Sequence, residues 1–476
     1  MKYKIYSKNR RSHWIDIECI IENIDSDELI VSLPAWRPGR YELQNFAKNI
    51  QSFHVFDQNN EKIPFEKITK DTWKIQAKGT QLVIVRYNYY SSVINAGSSF
   101  VDEQTLYINP VNLCLYRPEK IREKCSISID IRENEQIAGI QSIEDVDNQT
   151  KILHFDDFYH LADSPFIISK NLTHDSFEIN DTTFHLWFEG NFNIPNLSQI
   201  TDDFRKFATK QIELFGEFPE KVFHFITWLF PNHKYHGVEH RSSTMQTLGP
   251  FIENSQDFLV DLYGLSSHEL FHAWNICKIR PKELLPYDYS KENYFKTCFV
   301  AEGLTTYYGD LMLYRSGVFD YEQYLRELET YYKRHFDEAD GASQSLLESS
   351  WDLWLDGYSS SIPKRKVSVY HKGAIAGQIL DLHIQRISNK QRSLDDVMRK
   401  MWKKFGKSVN GHPLVGYSLE DYISICEEVA GEKLEWYFET CIAGTDSLFG
   451  LLNEYLKDIG LSLQKNEHDL VYLTKI

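Results

Sequence analysis

The sequence lacks long apolar runs and long basic runs. No window of its 476 residues approaches the ~18 uninterrupted apolar residues that a membrane-spanning helix needs. The formal net charge is -16, so we expect neither nucleic acid nor an anionic membrane surface as a partner. The first residues, MKYKIYSKNRRSHW, are basic but are followed by no apolar core, which argues against a secretory signal.

Cysteine is scarce and scattered. No pair of cysteines has C-x-x-C spacing, so a cysteine metal cluster is not expected. An odd number of dispersed cysteines favours reduced thiols and a cytoplasmic location. The seven positions are Cys19, Cys114, Cys125, Cys277, Cys298, Cys426 and Cys441.

The patterning predicts a multidomain α+β protein with three consecutive parts. Residues 1–168 are β-rich and sandwich-like; the segment CSISIDI, for example, places Cys125, Ile127 and Ile129 on one face at period two. Residues 169–320 mix strands and helices. Residues 321–476 are mostly helical, with an irregular segment at 336–366 that is expected to border a cleft.

Two C-terminal segments carry the signals of amphipathic helices. SLDDVMRKMWKKFG has an apolar stripe, with Ser393 as a candidate N-cap and Gly406 at the end. SLEDYISICEEVAG repeats the pattern with Ser418 and Gly431. We interpret the Met and Trp residues of these stripes as core.

The segment LSSHELFHAWNICKIRP contains H-E-x-x-H, formed by His268, Glu269 and His272. On a helix, positions i and i+4 share a face, so both imidazoles can bind one metal ion while Glu269 reaches a water on that ion. The alternative is a pair of buried core histidines with satisfied hydrogen bonds. The apolar flanks predict a buried helix, in which ionisable groups need partners, and a metal is a suitable one.

A third metal ligand is expected from CFVAEGLTTYYGDLMLY, an apolar helical stretch whose one early carboxylate is Glu302. The alternative is a helix-start carboxylate favoured by the helix dipole. A second histidine group, HKYHGVEH, contains His233, His236 and His240. Gly237 and the preceding strand pattern argue against a helix there, so we expect no second metal at this group.

These motifs together resemble the glycyl aminopeptidase family of gluzincin metallopeptidases. The similarity is carried by HELFHAWN followed by KIRP, and by AEGLTTYYGDLMLYRSG. It extends to LPAWRPGRYELQNFAKN near the start and to SLLESSWDLW, VSVYHKGAIAGQILDLHI and RSLDDVMRKMWKKFG later. The resemblance therefore runs through most of the chain.

The resemblance implies a thermolysin-like catalytic domain, completed by the helical C-terminal part, with one Zn2+ per chain on His268, His272 and Glu302. It implies Glu269 as general base and removal of an N-terminal Gly or Ala from short peptides. Segment GVEHRSS matches a G-x-E-H segment of that family, so Gly237 and Glu239 would bind substrate, with Glu239 on the free ammonium group. Tyr370, in YHKGA, would donate to the developing oxyanion.

The sequence also departs from the family. His236 stands where such proteins often have a second glycine before G-x-E-H, which bears on pocket shape. A C-terminal PDZ domain is common in the family, and we expect the form without one. The substrate class is then a peptide with a free N-terminus; nothing in the sequence indicates the oligomeric state.

Two other functions fit the same motifs. One is a zinc endopeptidase, which shares the metal site, Glu269 and Tyr370 but cuts blocked peptides. The motif residue Glu239 argues against it. The other is a catalytically idle, metal-stabilised binding scaffold. The presence of Glu269 argues against that role, because a structural metal site needs no base beside its ligands.

Overall fold

The computed structural model describes residues 1–358 and 360–476. The chain forms two compact units that alternate along the sequence. The first comprises Met1–Leu197, Glu220–Phe258 and Asp288–Glu292, and the second comprises Ser198–Pro219, Leu259–Tyr287 and Asn293–Ile476. The division into consecutive domains at residues 168 and 320 remains a prediction.

The first unit is built from strands and two short helices. Its strands are β1 (Lys2–Tyr6), β2 (Trp14–Glu22), β3 (Glu28–Ser32), β4 (Ile50–Asp57), β5 (Phe65–Lys67), β6 (Thr72–Gln76), β7 (Leu82–Tyr90), β8 (Phe100–Val101), β9 (Thr105–Ile108), β10 (Cys125–Asp130), β11 (Gln136–Ala138), β12 (Ile143–Asp145), β13 (Thr150–Phe155), β14 (Phe166–Ser169), β15 (Leu172–Ile179), β16 (Thr182–Glu189), β17 (Val222–Leu229), β18 (Lys234–Glu239) and β19 (Ser243–Gly249). Its helices are α1 (Pro110–Leu113) and α2 (Phe158–Ala162).

Three of its sheets use strands from the first 170 residues. Their strand orders are β12-β13-β10-β1-β2-β7-β4, β11-β14-β9-β8 and β3-β6-β5. The alternation predicted from the sequence is confirmed in β2, where Ile15, Ile17 and Cys19 are buried and their neighbours are not. Period-two burial arises because successive side chains of a strand point to opposite faces of the sheet.

The fourth sheet of this unit is mixed, with the order β15-β16-β17-β19-β18. β16, β17 and β19 run parallel, whereas β15 and β18 pair antiparallel at the two edges. A core cluster joins the strands of this sheet to earlier segments: Ala96, Phe100, Tyr107, Ala138, Ile167, Leu172, Ile226, Trp228, Val238 and Met245. β18, at one edge, ends at Glu239.

The second unit is mainly helical, and two of its helices begin within the ranges of the first. The helices are α3 (Leu197–Phe215), α4 (Gln256–Phe271), α5 (Leu304–Arg315), α6 (Tyr321–Phe336), α7 (Leu346–Trp351), α8 (Leu353–Asp356), α9 (His371–Ile387), α10 (Leu394–Phe405), α11 (Leu419–Ala430), α12 (Glu435–Tyr437) and α13 (Phe449–Leu456). π-helical turns span Phe299–Gly303 and Phe438–Ile442. The strands are β20 (Ser408–Val409), β21 (His412–Pro413), β22 (Leu461–Lys465) and β23 (Val471–Lys475).

Both predicted amphipathic helices are confirmed. Ser393 forms a capping box at the start of α10, and Ser418 forms one at the start of α11. In each box the serine side chain accepts from the backbone N–H of the aspartate three residues later, and that aspartate's side chain accepts from the backbone N–H of the serine. Gly431 ends α11 in the left-handed conformation, with φ of 78°, which glycine adopts without strain. The two serines thus fix where α10 and α11 begin, and Gly431 fixes where α11 ends.

One prediction for the C-terminal part needs correction. Residues 336–366 are not wholly irregular, because α7 and α8 lie within them. After the helices, β22 and β23 form an antiparallel hairpin, which the sequence analysis did not single out. Short apolar runs are ambiguous between helix and strand in sequence, and this hairpin is held by a remote partner, since Leu473 N–H donates to Glu329 of α6 at 2.9 Å.

In the part of the chain that the structure describes, no helix has the length and apolarity that crossing a membrane requires. The α+β class, with a β-rich N-terminal part followed by a largely helical C-terminal part, is confirmed.

Candidate functional site

Helix α4 presents the H-E-x-x-H residues at its C-terminal end. His268 and Glu269 lie in its last turn, and His272 follows directly after Phe271, where the helix ends. The two imidazole Nε2 atoms lie 3.1 Å apart, with the rings at 83° to each other. The i, i+4 spacing therefore brings both nitrogens to one point, as the sequence predicts.

Glu302 joins this pair from a different segment. It lies in the π-helical turn Phe299–Gly303 that leads into α5. Its Oε2 is 3.2 Å from His272 Nε2 and 3.7 Å from His268 Nε2. All three donor atoms lie within 4.8 Å of one another. Glu302 and His272 are buried, whereas His268 is partly open to solvent.

Electrostatics holds these side chains in their ligand forms. Burial acts to raise the pKa of Glu302, but His272 and His268 outweigh it and hold that pKa below its usual range. Burial lowers the pKa of His268, and the hydrogen bond that its ring can donate to the Glu302 carboxylate opposes this shift. A metal ion requires an ionised carboxylate, which the lowered pKa of Glu302 favours, and an unprotonated imidazole nitrogen, which the lowered pKa of His268 favours.

The tautomer of His272 is set by the backbone. His272 Nδ1–H donates to the carbonyl oxygen of Asn275 at 2.9 Å. Because a carbonyl can only accept, Nδ1 carries a proton, so in the neutral ring Nε2 is the nitrogen that has a lone pair for a metal. Such an outer hydrogen bond orients a metal-binding imidazole and raises its basicity.

The side chain of Asn275 holds the turn that carries Glu302. Its Nδ2 donates to Val300 O at 2.8 Å, to Ala301 O at 3.1 Å and to Thr305 Oγ1 at 3.1 Å. A π-turn releases carbonyls from the regular helical pattern, and this fully buried amide satisfies two of them. The sequence analysis did not single out Asn275; its one signal is an amide in an otherwise apolar segment.

The approach of α4 to α5 is fixed by a close crossing at Gly309. A Cβ atom placed on Gly309 would lie 3.3 Å from His268 Cα. Ser267 Oγ donates to Gly309 O at 2.7 Å, and Gln211 of α3 donates to Ser267 O at 2.8 Å. The histidine-bearing end of α4 and the helix after Glu302 are thus held together by buried hydrogen bonds.

Tyr370 lies at the start of α9, with its ring centroid 6.3 Å from that of His268. A glycine contact sets the position of this helix against the turn of Glu302. A Cβ on Gly303 would lie 2.5 Å from Gly373 Cα, and one on Gly373 would lie 2.8 Å from Gly303 Cα. Backbones can approach this closely only where neither residue has a side chain.

Glu269 is 5% exposed. A buried carboxylate one position after His268 fits a proton acceptor in a largely desolvated site. The structure thus brings together five of the predicted residues within the second unit: His268, Glu269, His272, Glu302 and Tyr370.

The predicted substrate-binding residues Gly237 and Glu239 lie on β18 in the first unit. Glu239 is 8% exposed, and its carboxylate faces Gly39 of the segment RPGR. A Cβ on Gly39 would lie 2.6 Å from Glu239 Oε2, and Gly39 has φ of 75°. Glycine at 39 therefore leaves room for this buried carboxylate.

The histidines of HKYHGVEH form no helical pair, because β18 is a strand. His236 Nδ1 accepts from Ala96 N–H at 3.3 Å, and burial together with Arg37 and Arg40 lowers its pKa to about 3. His240 Nδ1 lies 2.9 Å from Asp163 Oδ1. These residues have structural contacts of their own in the first unit.

The donor set of the candidate centre consists of two imidazole nitrogens and one carboxylate oxygen. Zinc sites of peptidases use this combination and leave a further position for water or substrate. The burial of His272 and Glu302, the mutual distances of the three donors and the Nδ1–H of His272 bound to Asn275 all fit a divalent metal of this class.

Two family models match the chain. That of the M61 peptidase N-terminal domain matches residues 2–170, and that of the M61 glycyl aminopeptidase matches residues 261–376. The second range contains His268, Glu269, His272, Glu302 and Tyr370. A search of curated proteins found no match.

Solved structures share the fold. An aminopeptidase N family protein from Idiomarina loihiensis is 27% identical to this chain, with a TM-score of 0.88. The match covers 98% of this chain and 79% of the Idiomarina loihiensis chain. An M1 zinc metallopeptidase from Deinococcus radiodurans is 12% identical with a TM-score of 0.56, covering 94% of each chain. A mutant of the latter, with a TM-score of 0.54, 12% identity and the same coverage, was crystallised with a Tyr-Ser-Ala substrate.

The matched segments include the β-rich N-terminal part and the three clustered donor residues with their neighbouring carboxylate. The chain therefore belongs to the M61 glycyl aminopeptidase family and is a metallo-aminopeptidase, a hydrolase of peptide bonds.

Proposed function

We propose that this protein is a zinc-dependent aminopeptidase that removes a small N-terminal residue, Gly or Ala, from short peptides. The observation that carries the proposal is the cluster of His268 Nε2, His272 Nε2 and Glu302 Oε2, with Glu269 beside it. Family membership supports the glycyl preference. The tripeptide bound to the Deinococcus radiodurans enzyme supports short peptides as the substrate class.

His268, His272 and Glu302 would hold one Zn2+ per chain. When bound, zinc lowers the pKa of a coordinated water and polarises the scissile carbonyl. The mixed nitrogen and oxygen donor set supports zinc over magnesium or calcium, which prefer oxygen ligands. Asn275 keeps His272 in the required tautomer through its backbone carbonyl.

Glu269 acts as the general base and then as the general acid. Its carboxylate takes a proton from the attacking water, and the C–O bond to the scissile carbon forms. The same carboxyl then gives that proton to the leaving amine as the C–N bond breaks, so protons balance over the cycle. Tyr370 O–H donates a hydrogen bond to the carbonyl oxygen as negative charge develops on it.

Glu239 binds the free ammonium of the substrate, with Gly237 leaving space beside it on β18. A buried carboxylate is a strong partner for a primary ammonium group, because a charge-assisted hydrogen bond gains strength away from water. Holding one cation at a fixed place limits cleavage to the first peptide bond. The low exposure of Glu239 supports this role.

A cytoplasmic location is part of the proposal. All seven cysteines, each within the described residues, are buried free thiols. Unpaired thiols persist where glutathione and thioredoxin keep the compartment reducing.

The test uses purified zinc-loaded protein and a series of free aminoacyl anilides. Glycyl and alanyl anilides should be cleaved well, and kcat/KM for leucyl and phenylalanyl anilides should be at least about tenfold lower. A pocket shaped for a small side chain can discriminate against side chains that are larger by several methylene groups. Equal cleavage across the series would contradict the preference for small residues. Cleavage of blocked peptides at internal bonds would favour the endopeptidase function.

A further inference from the structure

A cluster of three histidines and one tryptophan, here called the histidine ladder, lies on the mixed sheet of the first unit. It consists of His174 on β15, His185 and Trp187 on β16, and His224 on β17. His174 is in register with Trp187, and His185 with His224. Cross-strand partners and residues two apart share one face of a sheet, so all four side chains project on the same side.

Two ladder nitrogens have the spacing of the metal-binding pair on α4. His174 Nε2 lies 3.0 Å from His185 Nδ1. In the same structure His268 Nε2 lies 3.1 Å from His272 Nε2. When two imidazole nitrogens each bind one ion at about 2.0–2.1 Å, the nitrogens lie about 3 Å from each other. The ladder therefore offers a pair of donors comparable to the pair on α4.

The rings of this pair are held in place by their neighbours. Trp187 stacks on His174 with ring centroids 3.9 Å apart, and His224 stacks on His185 at 4.8 Å with 15° between the planes. Trp187 Nε1–H donates to His224 Nδ1 at 3.1 Å. An indole only donates, so His224 Nδ1 is unprotonated and the proton of the neutral ring is on Nε2.

That Nε2–H is a buried donor without an acceptor among the described residues. His224 is 4% exposed, so water does not readily satisfy the group. Buried donors in native proteins nearly always have a partner, and an unsatisfied one often marks the place of a water or ion. A water beside His224 would supply the missing acceptor.

The ladder is accessible at one end and neutral at physiological pH. His174 is exposed and His185 half-buried, so an ion and its water ligands have room on the solvent side. Burial lowers the pKa of His174 and of His185, and lowers that of His224 to about 3. Neutral imidazole is the form that binds transition metals.

We propose that His174 Nε2 and His185 Nδ1 form a second metal site of this protein, separate in its residues from the centre on His268, His272 and Glu302. The site takes divalent transition metals that favour imidazole, namely Cu2+, Ni2+ or Zn2+, with water in the remaining positions. His224 and Trp187 are positioning residues: Trp187 stacks on His174, His224 stacks on His185, and the Trp187–His224 hydrogen bond joins the two supports.

The experiment titrates Cu2+ into zinc-loaded full-length protein and follows binding by calorimetry and by electron paramagnetic resonance. Bound zinc is measured in parallel, so that a second equivalent is distinguished from exchange at the first centre. The wild type should bind one further equivalent, with a copper signal split by two imidazole nitrogens. The readout is independent of peptidase activity, so the peptidase proposal can fail without affecting it.

The variants are His174→Gln and His185→Gln, with His54→Gln, an exposed strand histidine of the same unit, as the matched control. Both ladder variants should lose the additional equivalent and retain zinc, whereas the control should bind both metals. The proposal is overturned if the wild type takes up no second equivalent, which would leave the ladder a hydrogen-bonded pair. It is equally overturned if either ladder variant binds copper as the wild type does.

Discussion

Glu269 is the residue on which the proposed chemistry depends most. Replacing it with glutamine keeps the shape of the side chain but removes the ability to take a proton. We expect Glu269→Gln to retain one zinc per chain and to lose about 10²–10⁴-fold in kcat on a glycyl anilide. Zinc content by elemental analysis and steady-state kinetics measure the two effects. Glu283→Gln, at an exposed position, is the control, and full activity of Glu269→Gln would refute the base assignment.

Asn275 is a residue whose importance only the structure reveals. Its amide bonds to Val300 O and Ala301 O hold the turn of Glu302. We expect Asn275→Ala to weaken zinc binding by about 10–100-fold, as loss of an outer hydrogen bond commonly does. Competition with a chelator measures the affinity. The control is Asn453→Ala, which removes a side-chain hydrogen bond to Leu463 N–H and should leave zinc affinity unchanged. If Asn453→Ala weakened zinc binding more than Asn275→Ala does, the proposed role of Asn275 would be refuted.

At the residue scale, the sequence predicted the donors but not what holds them. His268, Glu269 and His272 follow a spacing with a direct helical meaning, and Glu302 is a carboxylate in an apolar stretch. Asn275 acts on carbonyls freed by a π-turn, and no local pattern in the sequence signals such a turn. Partners far along the chain become visible only when the fold brings them together.

At the scale of elements, the contact of Gly303 with Gly373 sets the spacing between the turn of Glu302 and the helix of Tyr370. A methyl group on Gly373 would lie 2.8 Å from Gly303 Cα, so the two segments would have to separate. We expect Gly373→Ala to lower kcat by about 10²-fold, since small displacements of catalytic groups have effects of this size. The measurement is kcat and KM on a glycyl anilide.

A control for this prediction lies on the same helix. A Cβ on Gly377 would meet the terminal methyl Cδ2 of Leu304 at 2.7 Å, and a flexible side chain can move away. Gly377→Ala should therefore keep near wild-type kcat and gain up to about 1 kcal/mol of helix stability. If both alanine variants behave alike, the glycine contact does not position Tyr370.

The sequence predicted elements well where their signals are local. The caps Ser393 and Ser418 and the apolar stripes behind them fix α10 and α11. The hairpin of β22 and β23 was not singled out, because five-residue strands carry little periodicity and part of this hairpin's backbone is satisfied by Glu329 of α6. Hydrogen bonds between remote segments have no local sequence signature.

At the scale of the whole molecule, buried histidines make stability depend on pH. His335 is 2% exposed, and neither ring nitrogen has a hydrogen-bond partner among the described residues. Burial, with Lys372 and His371, lowers its pKa to about 3. Between about pH 6.5 and 3 the unfolded chain binds a proton that the folded chain does not, so the free energy of unfolding falls as pH falls.

Because of His335 alone, the free energy of unfolding should be about 2 kcal/mol lower at pH 5 than at pH 7.5. We expect His335→Leu to shrink the loss of stability between these pH values by about that amount, because an apolar side chain has no proton to take up. Denaturant unfolding at both pH values measures it. His468→Leu, at an exposed site, should unfold with the wild-type pH dependence, and an unchanged dependence in His335→Leu would contradict the account.

The alternation of the two units along the chain could not be predicted from composition or periodicity. Segments Ser198–Pro219 and Asp288–Glu292 each belong with residues far away in sequence. Such grouping depends on long-range contacts, whereas sequence patterns report the local period and the nearest turns. The fold class could be predicted from the sequence, but the assignment of segments to the two units could not.

We propose that the enzyme recognises a free N-terminus through Glu239. The most direct measurement compares kcat/KM for glycyl anilide and its N-acetylated form, using zinc-loaded wild type and Glu239→Gln. We expect the wild type to cleave the free amine and barely to cleave the acetylated form, and we expect Glu239→Gln to lose most of this difference through a higher KM. Cleavage of the acetylated substrate by the wild type at an equal or higher rate would contradict it.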